Sequence, residues 1–207
     1  FMGVSVDRDG DRCIITEYMD GGSVYDILKD KRIEITQSHI HTILKGTAVG
    51  MAYLHGFKTP ILHRDLKSHN LLVDSMSGNV KVADFGLSRP VENTMTHTGT
   101  PQWSAPEVTK LERYSTKADV FSYGIVISEL LNREPPYKGM TSLAAAYEVA
   151  YNGMRPEFSP QITEKYGEYV KLARMCWKQS ADERPSFLQI IEYLSEIEKQ
   201  HKQVGNL

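Results

Sequence analysis

The chain has 207 residues, enough for one or two domains, and 41% of them are hydrophobic, the ordinary share for a globular protein with a packed core. Its 24 Lys and Arg against 26 Asp and Glu leave a formal net charge of −2, without the basic excess of a nucleic-acid-binding surface. No apolar run is long enough to span a bilayer, no charged segment leads into an apolar one at the start, and two cysteines, Cys13 and Cys176, are too few for a disulfide framework; a reduced, cytoplasmic chain is expected.

Met2, Val4 and Val6 alternate with Gly3 and Ser5, a charged turn follows at 7–11, and Cys13-Ile14-Ile15-Thr16-Glu17-Tyr18 is again strand-like, so the first residues predict a hairpin. Gly21-Gly22 breaks the chain, and Ser23 with Asp26 three residues on predicts a helix start. Thr36 is placed to cap a longer helix whose buried stripe is Ile40, Ile43, Leu44, Ala48, Met51 and Leu54. Leu71–Val73 and Val80–Val82 read as short strands around a Ser-Gly-Asn turn, and residues 87–104, polar and without a period, read as a mobile loop. The run from Val120 to Leu131 is too apolar for a surface helix and predicts the centre of the core, ended by Pro135-Pro136. Further helices are expected near 141–152, 163–177 and 186–200, with a polar, fraying tail. There is no internal repeat or low-complexity tract. His39 and His41, two residues apart, would point differently on a helix and do not predict a metal site.

Three short motifs carry chemistry: His63-Arg64-Asp65-Leu66-Lys67-Ser68-His69-Asn70, then Asp84-Phe85-Gly86, then Ala105-Pro106-Glu107. Each alone is compatible with an ordinary turn. In this order and spacing they resemble the catalytic loop, the magnesium-binding turn and the end of the activation segment of the eukaryotic protein kinases. The resemblance covers essentially the whole chain. It implies an α+β, kinase-like fold, mainly the helical C-lobe, with residues 1–19 as a remnant of the N-lobe sheet and hinge, 20–200 as C-lobe and 201–207 as tail.

The resemblance assigns roles by position. Phosphoryl transfer needs metal ions to neutralise phosphate, a group to orient the attacking hydroxyl and positive charge on the moving phosphoryl. Asp65 would accept or orient the hydroxyl proton, with Lys67 near the γ-phosphate. Asp84 and Asn70 would hold Mg²⁺ through oxygen, the donor that hard cations prefer. In the segment 15–19, Thr16 would be the gatekeeper behind the adenine of ATP, and the backbones of Glu17 and Met19 would bond its edge. Leu72 would floor the adenine pocket, with Ser23 and Asp26 near the ribose. Arg64 would receive a phosphate added by an upstream kinase on Thr94, Thr96 or Thr98. Thr100 would contact Asp65 and Lys67. Structural roles are implied for Glu107 paired with Arg184, for Asp119 bracing the His-Arg-Asp turn, and for His63 with Phe85.

Lys67-Ser68 and Gly99-Thr100 resemble serine/threonine kinases, whereas Trp103-Ser104-Ala105-Pro106-Glu107, residues 119–124 and Met175-Cys176-Trp177 resemble tyrosine kinases. The mixture is typical of the tyrosine-kinase-like group, with its Raf-like and mixed-lineage members, and Phe1-Met2-Gly3-Val4 is similar to that group's fourth strand. Protein Ser/Thr residues are the expected substrates. No Gly-rich loop, strand-borne lysine or partner glutamate precedes the catalytic motifs, so the 207 residues alone are expected to be inactive. The alternative is an inactive, kinase-like module that binds partners, which would have no need of Asp65, Lys67, Asn70 and Asp84 together.

Overall fold

The computed structural model describes residues 2–91 and 99–204, with side chains through residue 200. Three two-stranded antiparallel sheets lie along a mainly helical body. In the first, β1 (Gly3–Val6) pairs with β2 (Arg12–Ile15). The register sets Val4 opposite Ile14 and Ser5 opposite Cys13. The alternating valines therefore share their face with Ile14, and Cys13 and Ile15 lie on the other. Helix α1 (Val24–Lys29) begins in a capping box, in which the Ser23 side chain accepts from the Asp26 N–H and the Asp26 carboxylate answers the Ser23 N–H. Helix α2 (Gln37–His55) starts on the Thr36 cap and buries the whole stripe from Ile40 to Leu54.

Strand β3 (Ile61–Leu62) leads into the His63-Arg64-Asp65 turn and pairs with β6 (Arg89–Pro90), while β4 (Leu71–Val73) pairs with β5 (Val80–Val82). The expectation of a structureless loop over 87–104 is thereby corrected: it contains β6 and a 3₁₀ turn at Pro101–Trp103. Two-residue strands leave no period to read.

Helix α3 (Pro106–Thr109) precedes α4 (Lys117–Asn132), which is buried on every side from Ala118 to Leu131. Helix α4 packs on α7 (Gly167–Cys176) through Gly124, where an added Cβ would lie 3.0 Å from the Cys176 Cβ. Its Tyr123 hydroxyl donates to the Leu44 carbonyl at 2.9 Å, tying it to α2. Helix α4 stops before the prolines expected to end it: Arg133 turns left-handed at φ 52° and its N–H closes on the Glu129 carbonyl at 2.8 Å. Helix α5 (Ser142–Tyr151) follows. The single helix expected over 163–177 is two, α6 (Pro160–Lys165) and α7, broken at Tyr166. Helix α8 (Phe187–Val204) packs on α2 and runs past residue 200. No helix among the described residues is long and apolar enough to cross a membrane.

Candidate active site

The site is built outward from α4. Asp119, in its first turn, is 1% exposed. Its Oδ2 accepts the His63 N–H at 2.9 Å and bonds His55 Nε2 at 2.8 Å; its Oδ1 accepts the Arg64 N–H at 2.9 Å. Burial alone would raise its pKa, but the His55 contact and the two backbone N–H groups outweigh it and hold the carboxyl below its usual value. Arg64 sits at φ 72°, in the left-handed region that costs a non-glycine residue about 1–3 kcal/mol. Two backbone bonds to a buried carboxylate are the compensation on view.

That turn presents Asp65. Its Oδ1 accepts from the Thr100 N–H at 2.9 Å and hydroxyl at 2.7 Å. Its Oδ2 meets Lys67 Nζ at 2.7 Å and Asn70 Nδ2 at 3.2 Å. Lys67 also donates to Thr100 Oγ1 at 2.7 Å, and Asn70 Nδ2 donates to the Asp65 carbonyl at 2.8 Å. Thr100 reaches Asp65 because Gly99 lies against Arg64: at φ 96°, a Cβ there would fall 2.4 Å from the Arg64 carbonyl oxygen.

Strand β5 sets the second motif beside the first. The Ala83 N–H donates to the Asn70 carbonyl at 2.8 Å, and the Ala83 carbonyl bonds His63 Nε2 at 2.9 Å. Asp84 follows at φ 63°, accepting the Gly86 N–H at 3.3 Å, and the Phe85 ring stands edge-on to His63 at 5.5 Å. Asn70 turns its amide nitrogen to Asp65, and its Oδ1 makes no hydrogen bond among the described residues. An amide oxygen and an exposed carboxylate, set by adjoining backbone, suit Mg²⁺, which keeps several waters and takes few protein ligands.

The segment before α1 is held against β4: the Gly21 N–H bonds the Val73 carbonyl, the Val73 N–H bonds the Gly22 carbonyl, both at 2.9 Å, and Ser23 bridges Leu72. Leu72 is therefore brought beside the expected hinge. Met19 is buried, Thr16 is exposed, and the Glu17 side chain pairs with Lys81. The Glu17 carbonyl and Met19 N–H carry no backbone hydrogen bond among the described residues. The side chains of Ser23 and Asp26 bond each other at 2.6 Å in the α1 cap.

Arg184 is 1% exposed and uses all its N–H groups: two on Glu107, at 2.6 and 2.9 Å, and the others on the carbonyls of Lys117, Lys178 and Gln179. Thr94, Thr96 and Thr98 lie outside the described residues. Sequence reasoning missed His55, Ser68 and Glu129 as members of the site. Glu129, 2% exposed, accepts from the Ser68 hydroxyl at 2.8 Å and Trp103 Nε1 at 2.7 Å. The signal that could have found it is the one charged residue inside the largely apolar 120–131 run.

A carboxylate and a lysine held together on a threonine hydroxyl at one turn, beside a turn with an exposed carboxylate and braced by a buried helix, are the arrangement that phosphoryl transfer calls for. Residues 1–194 match the family described as "Protein tyrosine and serine/threonine kinase", and the chain belongs to that family. It is 45% identical over 192 residues to "Probable serine/threonine-protein kinase drkB" of Dictyostelium discoideum, covering 91% of this chain and 27% of that protein. It is 44% identical over 196 residues to "Serine/threonine-protein kinase STY46" of Arabidopsis thaliana, covering 93% and 33%. "Dual specificity protein kinase pyk3" of Dictyostelium discoideum is 36% identical, with 94% and 14% covered. The chain thus spans a third or less of these relatives' lengths.

Proposed function

We propose that the chain carries the catalytic loop, metal turn and substrate-side lobe of an ATP- and Mg²⁺-dependent protein serine/threonine kinase of the tyrosine-kinase-like group. The observation that carries this is the closed arrangement of Asp65, Lys67, Asn70 and Thr100. A carboxylate offers about four acceptor positions, and here Thr100, Lys67 and Asn70 occupy them. An acceptor hydroxyl must therefore displace one contact. Lys67 is the partner free to move, since its ammonium has rotatable donors on a flexible stem. As Lys67 turns toward the phosphoryl group, Oδ2 of Asp65 becomes open to the Ser or Thr hydroxyl and takes its proton, while Thr100 keeps Oδ1 fixed. Asn70 and Asp84 would hold Mg²⁺, which supplies charge neutralisation of the phosphates when bound.

Thr16, Glu17, Met19 and Leu72 are the proposed adenine contacts, with Ser23 and Asp26 toward the ribose. Arg64 is the proposed receiver of a phosphate on Thr94, Thr96 or Thr98. Support for Ser/Thr transfer is Lys67 spanning Asp65 and Thr100, together with the relatives' names. In the full-length protein, Asp65→Asn should lower turnover about 10²- to 10⁴-fold while ATP binding persists. Mass spectrometry of the autophosphorylated enzyme should find phosphoserine or phosphothreonine. Unchanged turnover removes Asp65 from the role, and dominant phosphotyrosine overturns the specificity.

A further inference from the structure

The ends of α1 and α4 are far apart in sequence and meet beside the catalytic loop. Lys31, just past α1, donates to the Arg133 carbonyl at the end of α4. The Arg133 guanidinium returns the contact, donating to the Asp30 carbonyl at 3.0 Å. Each segment thus caps the helix that precedes the other. A carbonyl fixes a cation in place without cancelling its charge. Asp30, between Lys29 and Lys31, gives its carboxylate to Arg32 instead, at 2.6 Å.

A cavity of about 260 Å³ opens at this junction, and Lys29, Lys31, Arg133 and Lys138 border it. Among the described residues, the carboxylates on the same border are Glu129 and Glu134. Glu134 is held below its usual range by Lys138, 2.9 Å away, and by Lys31. Glu129 is closed in by Ser68 and Trp103, and burial pushes its pKa up to about 7, so near neutral pH it carries part of a charge. Four cations against these two groups leave the cavity positive. Lys29 is exposed and makes no hydrogen bond or ion pair among the described residues, and the Arg133 Nε–H has no partner there either. Capping accounts for Lys31 and Arg133 but for neither Lys29 nor Lys138. The place of the cavity decides what can reach it. Tyr25, on its rim, stacks on His69 of the catalytic loop at 3.8 Å, and Glu129, on its wall, bonds Ser68, the residue after Lys67. An extended chain advances about 3.3 Å per residue, so a protein whose hydroxyl lies at Asp65 carries its next few side chains past this rim.

We propose that this cavity is a specificity site for phosphoryl transfer: it takes an anionic side chain, a carboxylate or a phosphate monoester, that flanks the acceptor Ser or Thr in the protein substrate, with Lys29 and Lys138 as the recognising groups. The inference rests on the kinase reading above and deepens it. The Lys138–Glu134 pair is exposed on both sides and weak enough to yield to an incoming anion.

The experiment uses the full-length protein and peptides with one Ser acceptor, in which each flanking position in turn is Ala, Asp, Lys or phosphoserine. On one side of the acceptor, Asp or phosphoserine should raise kcat/KM about tenfold over Ala, the worth of one charge-assisted bond, and Lys should lower it. In the double variant Lys29→Glu with Lys138→Glu, the ratio of acidic to Ala peptide should fall to one or below. That ratio is taken within one protein and is blind to the fraction folded, so a poorly folding variant still reports. Gain from both Asp and phosphoserine makes any anionic side chain the occupant; gain from phosphoserine alone makes it a phosphate left by an earlier phosphorylation. A wild type indifferent to flanking charge, or one that prefers Lys, overturns the inference, as does a double variant that keeps the acidic preference. A wild type that phosphorylates no peptide or protein overturns the kinase reading, and this inference with it; transfer without the acidic preference overturns this inference alone.

Discussion

A carboxylate as deeply buried as Glu129 changes protonation where exposed glutamates do not, and that links the site to stability. Its folded pKa, about 7, lies above the ordinary 4.5. Between those values the native state holds a proton that the unfolded chain has released, so stability falls as pH rises across the window. Above it the native state is weaker by on the order of 3 kcal/mol than with an unshifted carboxyl. Denaturant unfolding on either side of the window should show wild type losing stability relative to Glu129→Gln as pH rises; equal slopes would mean that the group does not titrate there. The sequence places Glu129 inside a helix expected to lie in the core, but no local pattern says that Ser68 and Trp103 close on it. Asp65, Lys67, Asn70 and Asp84 were legible as kinase motifs, and the structure adds that the first three share one hydrogen-bonded cluster with Thr100.

Among the elements, the ones read correctly are those whose cause is local. Ser23 and Thr36 cap helices because their side chains reach the N–H three residues on. β4 and β5 form because a tight turn joins them. The ends of α4 and α6 were misplaced because they are set by a left-handed Arg133 and by Tyr166, residues with no breaker signature. β3 and β6 depend on pairing across the chain, which no local pattern carries. The Glu107–Arg184 pair joins α3 to the turn before α8 and is buried on both sides. Arg184→Ala strands the Glu107 carboxylate and should cost about 3–5 kcal/mol, read as a lower denaturation midpoint. Arg184→Lys should recover only part, since an ammonium cannot reproduce the fork or supply all the bonds that the guanidinium makes. A loss under 1 kcal/mol for Arg184→Ala, roughly the worth of a surface pair, would show the anchor to be dispensable.

For the whole molecule, the helical body is closed by its own core, and the hairpin is not. Val4 and Ile14, opposite one another, are 75% and 73% exposed, and no described residue covers that face. A lone two-stranded sheet is marginal in water, and an open edge invites pairing. The 207-residue chain purified alone should therefore bind ATP weakly, turn over negligibly and self-associate with the hairpin disordered, while the helical body stays folded. Calorimetry for nucleotide, a kinase assay and light scattering check this; micromolar ATP affinity with appreciable turnover would show that these residues suffice.

The brace of Asp119 also sets a clock. The His63 and Arg64 amides lie in an irregular turn, where protons ordinarily trade with deuterium within seconds to minutes. Here both are clamped to a carboxylate on the most enclosed helix of the fold. They can be released only when α4 itself lets go, so their exchange should track global opening, like core helix amides and unlike their loop neighbours. The turn that carries Asp65 would then keep its shape for as long as the domain stays folded, and its lifetime would be that of the core.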